Sequence, residues 1–278
     1  MNKNMLLMFC ILSLSVLISS PLLHAQDQPQ STIYVEVDYM KARPGGDYMS
    51  LEKDIWKALH QERIKNGDIV GWYLYGVKFP YGQNTDYDYV TVTVYNDIAK
   101  LEDPYKQIEA MAKKAYPDMD IAELSKKTAA ARDLVWGEVF TVTDEAIPGP
   151  SASPAQFIAV NFMEVEQGKG AAYEEMEREL VKPVHAARAE AGDMQDWLLL
   201  SRMAPWGDEY EYQYMTVDLY GSWENMSKDS FGEAWKKVHP EKDMATFYEK
   251  ILETRTLKRQ ETWQLLDYIT EGDIAASE

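Results

Sequence analysis

Alternating and helix-period hydrophobic patterns succeed one another along the chain in an order that occurs twice. Ile33–Met40 alternates as a strand. Tyr48–Asn66 has helical period, with Tyr48, Leu51, Ile55, Leu59 and Glu62 along one side, and Gly67 supplies a C-terminal stop. Trp72–Phe79 reads as a second strand, Pro80-Tyr81-Gly82 begins a hairpin-like connection, and Asp86–Tyr95 alternates strongly as a third strand. Helical segments are expected at 98–116 and 120–134, and Val135–Val142 closes the unit as a fourth strand. The order then returns, with helices near 172–191, 223–238 and 243–260 and a last strand near 262–269.

A shift of 125 residues aligns Ile33–Tyr95 with Ile158–Tyr220 without a gap. Of those 63 positions 19 are identical, where chance gives about four. Lys57, His60, Arg63, Gly67, Asp68 and Trp72 return as Lys182, His185, Arg188, Gly192, Asp193 and Trp197. Tyr87, Tyr89, Thr91, Val92 and Tyr95 return as Tyr212, Tyr214, Thr216, Val217 and Tyr220. Further on, Arg132-x-x-x-Trp136 finds an echo in Arg259-x-x-x-Trp263. The pattern predicts an α+β fold of two tandem ferredoxin-like (β-α-β-β-α-β) repeats, at 26–145 and 157–270, with a Pro/Gly/Ser-rich linker at 146–156 and a tail at 271–278.

The chain has 278 residues. Residues 1–25 read as a signal peptide: Lys3, an apolar run from Met5 to Ile18, then Ser19-Ser20-Pro21 leading to Ala25. Export to the periplasm or the medium is therefore expected, with no membrane association after cleavage. The competing reading, an uncleaved anchor, asks for a longer apolar run. Without that segment the chain carries 27 basic against 46 acidic residues, a net charge of −19. Such a surface repels phosphate backbones and anionic lipid, so nucleic acid is not an expected partner. The single cysteine, Cys10, lies in the apolar run, which leaves the rest without disulfides or thiolate chemistry. There is no phosphate loop, nucleophile elbow or metal-ligand spacing, and no metal is expected.

The strand–glycine–helix opening (Val160-Asn-Phe-Met-Glu-Val-x-x-Gly168-Lys), the Gly67-Asp68…Trp72 and Gly192-Asp193…Trp197 turns and the tyrosine-rich third strands resemble the dimeric α/β-barrel superfamily, in the style of antibiotic-biosynthesis-monooxygenase-like domains. The resemblance covers nearly all of the chain after the leader, twice. It implies two sheets facing each other around a barrel, here within one chain as a pseudo-dimer. Function does not follow, since the superfamily hosts oxygenases, isomerases, cyclases, haem proteins and members without activity.

If Val90, Val92 and Val94 face the helices, with Met215, Val217 and Leu219, the opposite faces look into the barrel. The expected lumen then carries Tyr34, Glu36, Asp38, Trp72, Tyr87, Tyr89, Thr91, Thr93 and Tyr95 from the first half, and Asn161, Trp197, Tyr212, Tyr214, Thr216, Asp218 and Tyr220 from the second. Tyrosine rings and hydroxyls suit a small aromatic or hydrophobic organic ligand; the competing reading is that they fill the space between the sheets. Asn161 matches the position where some monooxygenase-like relatives hold a functional asparagine, and gapless alignment places Glu36 there in the first half. Glu36, Asp38 and Asp218 are candidate general bases if buried.

On a uniform helical wheel His60 falls about 140° from the apolar stripe. The trios Lys57/His60/Arg63 and Lys182/His185/Arg188 are thus expected on the outer helix surface, as a solvated face or an anion- or partner-binding surface. Histidines so placed cannot ligate haem in a lumen, so no cofactor is expected. Three functions compete: a ligand-binding barrel, a cofactor-independent monooxygenase, isomerase or cyclase, and an interaction module using the basic helix faces. The sequence leaves monomer and homodimer open.

Overall fold

The computed structural model describes residues 32–276 except 119, 150–152 and 208; the expected leader lies outside the described residues. Eight strands run antiparallel: β1 (Tyr34–Ala42), β2 (Gly71–Phe79), β3 (Tyr89–Tyr95), β4 (Arg132–Glu145), β5 (Phe157–Glu164), β6 (Asp196–Ala204), β7 (Tyr214–Tyr220) and β8 (Thr256–Thr270). They close a barrel in the order β1-β3-β2-β8-β5-β7-β6-β4. Each half contributes a four-stranded sheet, β4-β1-β3-β2 or β8-β5-β7-β6, with its helices on the outside.

The closing strands are longer than the sequence pattern indicates. Residues 132–134 and 256–260, expected as helix, belong to β4 and β8. The reason is tertiary: β4 pairs with β1 over 132–141 and with β6 from Val139 onward, while β8 pairs with β5 over 256–264 and with β2 over 262–270. One strand spans two sheets, and pairing overrides helix propensity. The expected tail also differs, since Glu271–Ala275 is a short helix capped by Thr270 and Asp273 that buries Ile274.

The barrel interior is apolar. Val35, Val37 and Val90 of the first half pack with Val160, Phe162, Met215 and Val217 of the second, joined by Phe140 and Trp263. This reverses the expected faces, for a physical reason. An eight-stranded barrel leaves an interior just wide enough for side chains, and branched aliphatic residues fill it densely. The tyrosine-bearing faces turn outward under the helices, where Trp72, Leu74 and Tyr95 pack with Tyr48, Leu51 and Ile64, and Trp197, Tyr214 and Tyr220 pack with Tyr173, Met176 and Val184.

Two glutamates interrupt the apolar interior. Glu138 Oε2 accepts hydrogen bonds from the hydroxyls of Tyr39 and Tyr212, and Oε1 accepts from Arg202 Nη1 at 2.8 Å. Glu261 accepts from Tyr87 (2.5 Å), Trp263 Nε1 (2.8 Å) and Arg259 Nε (2.9 Å). In each case the tyrosine just before a third strand reaches the closing strand of the other half. Removing one partner of a fully buried pair leaves an uncompensated charge. Arg202→Leu is therefore expected to cost about 3–5 kcal/mol in guanidinium unfolding, and Glu138→Leu/Arg202→Leu clearly less. A double variant as unstable as the single would show that the charge is not the cause.

Candidate functional site

Both halves build a polar layer between sheet and helix. The long helix of the first half runs from Tyr48 to Lys65, with a π-helical segment at Leu51–Trp56, and that of the second from Gly170 to Glu190, with a π-helical segment at Glu177–Val181. Each extra residue in an i→i+5 turn rotates everything downstream by about 100°. His60 and Arg63, expected on the outer surface, accordingly turn onto the sheet and are buried, as are His185 and Arg188.

There the His60 ring stacks on Trp72, with centroids 4.8 Å apart, and His185 lies parallel to Trp197 at 5.6 Å. Arg63 Nη1 faces His60 Nδ1 at 3.2 Å, and its Nη2 donates to Tyr95 Oη at 3.0 Å. Arg188 repeats this with His185 (3.0 Å) and Tyr220 (3.4 Å). Burial first, then the adjacent guanidinium, depresses both histidines, His185 to about 3. The lysines of the trios also have partners: Lys57 Nζ meets Asp267 at 2.6 Å and Lys182 Nζ meets Asp144 at 2.5 Å, each reaching the other half's closing strand. The basic faces expected on the surface do not exist as such. With rings stacked flat and Nδ1 facing arginine, these histidines do not fit a haem ligand's role either.

Of the residues expected in the lumen, only Tyr87 and Tyr212 join the barrel interior, because they precede β3 and β7 and strand alternation does not reach them. In the first half Tyr34, Glu36, Asp38, Trp72, Tyr89, Thr91, Thr93 and Tyr95 lie on the helix-facing side of the sheet. Asn161, Trp197, Tyr214, Thr216, Asp218 and Tyr220 do so in the second.

Strand register also changes the pairing of positions. Asp38 lies between Thr91 and Gly137, and Asn161 between Thr216 and Gln260. The counterpart of Asn161 is thus Asp38, not Glu36, and the repeat shift in the first strand is 123 rather than 125. The same shift matches Arg132 with Arg255, each following a helix, so the Arg132/Arg259 echo is not structural.

These paired positions are furnished differently. In the second half Gln260 Nε2 donates to Asn161 Oδ1 at 2.6 Å, Asn161 donates to Thr216, and Met176, Phe231, Trp235 and Phe247 pack over the layer. In the first half the residue beside Asp38 is Gly137, where an added Cβ would stand 2.8 Å from Asp38 Oδ1. The counterparts of Phe231, Trp235 and Phe247 are Ile108, Ala112 and Leu124, all smaller. Glu36 and Asp38 stay only half-buried. Tyr95 donates to Glu36 Oε2 at 2.6 Å, and the Tyr105 ring, missed by the sequence reading, lies 4.8 Å from the Arg63 guanidinium. Arg132, also missed, stands 3.9 Å from Glu52. Desolvation, reinforced by Glu36 and opposed by Arg132 and Arg63, raises Asp38 to about 7. Desolvation also raises Glu52 and Glu177 to about 7 and Asp218 to about 6. The arrangement can exchange a proton near neutrality beside two cations. Among the described residues no cluster is suited to hold a metal ion, and no helix is long and apolar enough to cross a membrane.

Comparison with solved structures places this geometry in a known fold. A "putative monooxygenase" of Fusobacterium nucleatum subsp. nucleatum superposes with TM-score 0.54 at 10% identity, over 87% of this chain and 96% of that one. One from Lactobacillus acidophilus gives TM-score 0.53 at 11% identity, over 86% and 97%. The fold is that of the dimeric α/β barrel, closed within one chain. No protein-family model matches the chain, and no curated protein matches its sequence.

The raised carboxylates hold protons when folded that the unfolded chain has released, so their effect on stability turns unfavourable as pH rises toward about 7. The depressed histidines have the opposite sign, their contribution being lost as pH falls below about 6.5. Above that value the carboxylates act alone. Tm is expected to fall from about pH 6.5 to 8, and Asp38→Asn to flatten that slope. A calorimetric series showing the same slope in both proteins would contradict the assignment.

Proposed function

We propose that the protein is a small-molecule enzyme of the cofactor-independent acid–base type, working in the first half between helix layer and sheet. The observation that supports it is the contrast at one strand position: Asp38 beside Gly137 in the first half, Asn161 capped by Gln260 in the second. The second half then serves as structural counterpart, the halves having diverged after duplication of one unit.

The ligand class follows from the wall. Tyr105, 40% exposed, supplies aromatic surface, while Arg63 and Arg132 each keep an Nε–H without a hydrogen-bond partner. That combination suits an enolisable or phenolic aromatic molecule. Asp38 takes the proton from carbon or hydroxyl, the electron pair left behind moves onto the ligand oxygen, and the two guanidiniums stabilise the oxyanion. Asp38 returns the proton in the reverse sense, and its value near 7 suits both directions at neutral pH. The names of the two superposed proteins are compatible with an enzyme of this fold, and the reading does not rest on them.

Deuterium uptake into 2-tetralone, followed by NMR, tests the step. The rate is expected to rise to a plateau above about pH 7 and to fall about 100-fold or more in Asp38→Asn. An unchanged rate in that variant would remove Asp38 from the reaction.

The same reading includes export and processing near Gln26, supported by the Met5–Ile18 run and the small residue Ala25. N-terminal sequencing of the mature protein is expected to start within a few residues of Gln26. An intact Met1 in the membrane fraction would refute it.

A further inference from the structure

The end of the barrel where the two hairpins turn lies apart from the acid–base site and borders the glutamate networks of the interior. The hairpins, 80–88 between β2 and β3 and, between β6 and β7, 205–207 with 209–213, stand side by side, since Asp86 and Tyr87 line one cavity together with Glu209, Tyr210 and Glu211. That cavity, about 290 Å³, shares Asp86, Tyr87, Glu211 and Arg259 with a second of about 620 Å³. Through these shared residues the two cavities adjoin as one cleft.

Its walls combine three features. Aromatic rings stand open to solvent: Tyr81 is 77% exposed at the rim of the larger cavity and Trp136 40% in the smaller, where it lies 5.6 Å from Tyr210. Side chains with paired hydrogen-bonding atoms line the larger cavity, namely Gln83, Asn84, Asp86, Glu211 and Arg259. Opposite charges interleave at short range, with Arg259 Nε 2.9 Å from Glu261 and its Nη1 3.6 Å from Glu211.

We propose that this cleft binds a neutral oligosaccharide. Carboxylates outnumber guanidiniums in the two linings, which disfavours an organic anion, and Glu138, Glu211 and Glu261 are already held by Arg202 or Arg259, which leaves less for an organic cation. An uncharged polyol escapes that penalty, and its adjacent hydroxyls match carboxylate, amide and guanidinium groups that offer two atoms in one plane. The C–H faces of a pyranose give the open rings apolar area to cover. Two linked cavities suit a chain of sugar units better than a single ring. The acidic chain leaves no attraction for anionic lipid.

The test titrates the purified protein with cellohexaose, maltohexaose and chitohexaose, read by saturation-transfer NMR and calorimetry. At least one is expected to bind at millimolar concentration or below. Trp136→Ala and Tyr81→Ala should each weaken it about tenfold, the loss of one stacked ring, while Asp38→Asn leaves it unchanged. Both aromatic substitutions are at exposed positions, and unchanged melting curves confirm that the fold is kept. The proposal is overturned if no hexasaccharide binds, or if binding survives Trp136→Ala/Tyr81→Ala at full strength. It is equally overturned if Asp38→Asn abolishes binding, which would move the sugar to the helix–sheet site, or if the rim adsorbs to phosphatidylcholine vesicles and no sugar binds.

Discussion

Glu138 and Glu261 sit where the two halves of the barrel meet, each on a closing strand and each gripped by a tyrosine from the opposite half. A carboxylate in an apolar interior is tolerable only when its oxygens are filled, and Arg202, Tyr39 and Trp263 complete that filling. A slip of one residue in β4 or β8 would turn a charged side chain away from its donors and an apolar one out of the core. The lysine bridges Lys57–Asp267 and Lys182–Asp144 cross the same seams from outside. The chain thus fixes internally the register that separate sheets would settle by association. The arginines break the symmetry, because the first-half counterpart of Arg202 is Val77 and that of Arg259 is Trp136.

Once the interior is committed to aliphatic packing, chemistry is displaced outward. Polar residues on the other side of each sheet are closed off by helices, and the π-helical segments decide which side chains do it. Both halves set a helix arginine and histidine against a strand tryptophan in the same stack, so this arrangement is common to both and does not by itself distinguish them. Difference enters in what surrounds it. Large aromatics complete the second half, whereas small residues and Gly137 leave Asp38 and Glu36 partly accessible in the first. The two halves share one architecture and differ in how closely side chains cover the paired position, Asn161 being buried and Asp38 half-buried.

The raised values at Asp38, Glu52, Glu177 and Asp218 share one cause, desolvation under helices. Only Asp38 combines that with access and two nearby cations. Glu177 has a comparable value but is buried, and Asp218, half-buried like Asp38, has a single nearby guanidinium, Arg188, which is why a shifted carboxylate alone does not mark the site.

The order of elements was legible in the sequence, because period-two strands, the helical stripe and the Gly67 and Gly192 stops are local signals; both glycines end their helices at positive φ. The facing of the two sheets followed from the family resemblance. Three matters required the tertiary structure. Which sheet face points inward depends on barrel width, and alternation only separates the faces, so Tyr89 and Tyr214 lie under helices while Val90 and Met215 fill the core. The phase of His60 depends on a π segment stabilised by packing, which a uniform wheel does not register. The match of Asp38 with Asn161 depends on strand register, which a gapless alignment anchored on the helices misplaces by two residues. Local periodicity is written in neighbouring residues, whereas width, phase and register are settled by contacts between residues on different elements, such as Asp38 with Gly137 and Asn161 with Gln260.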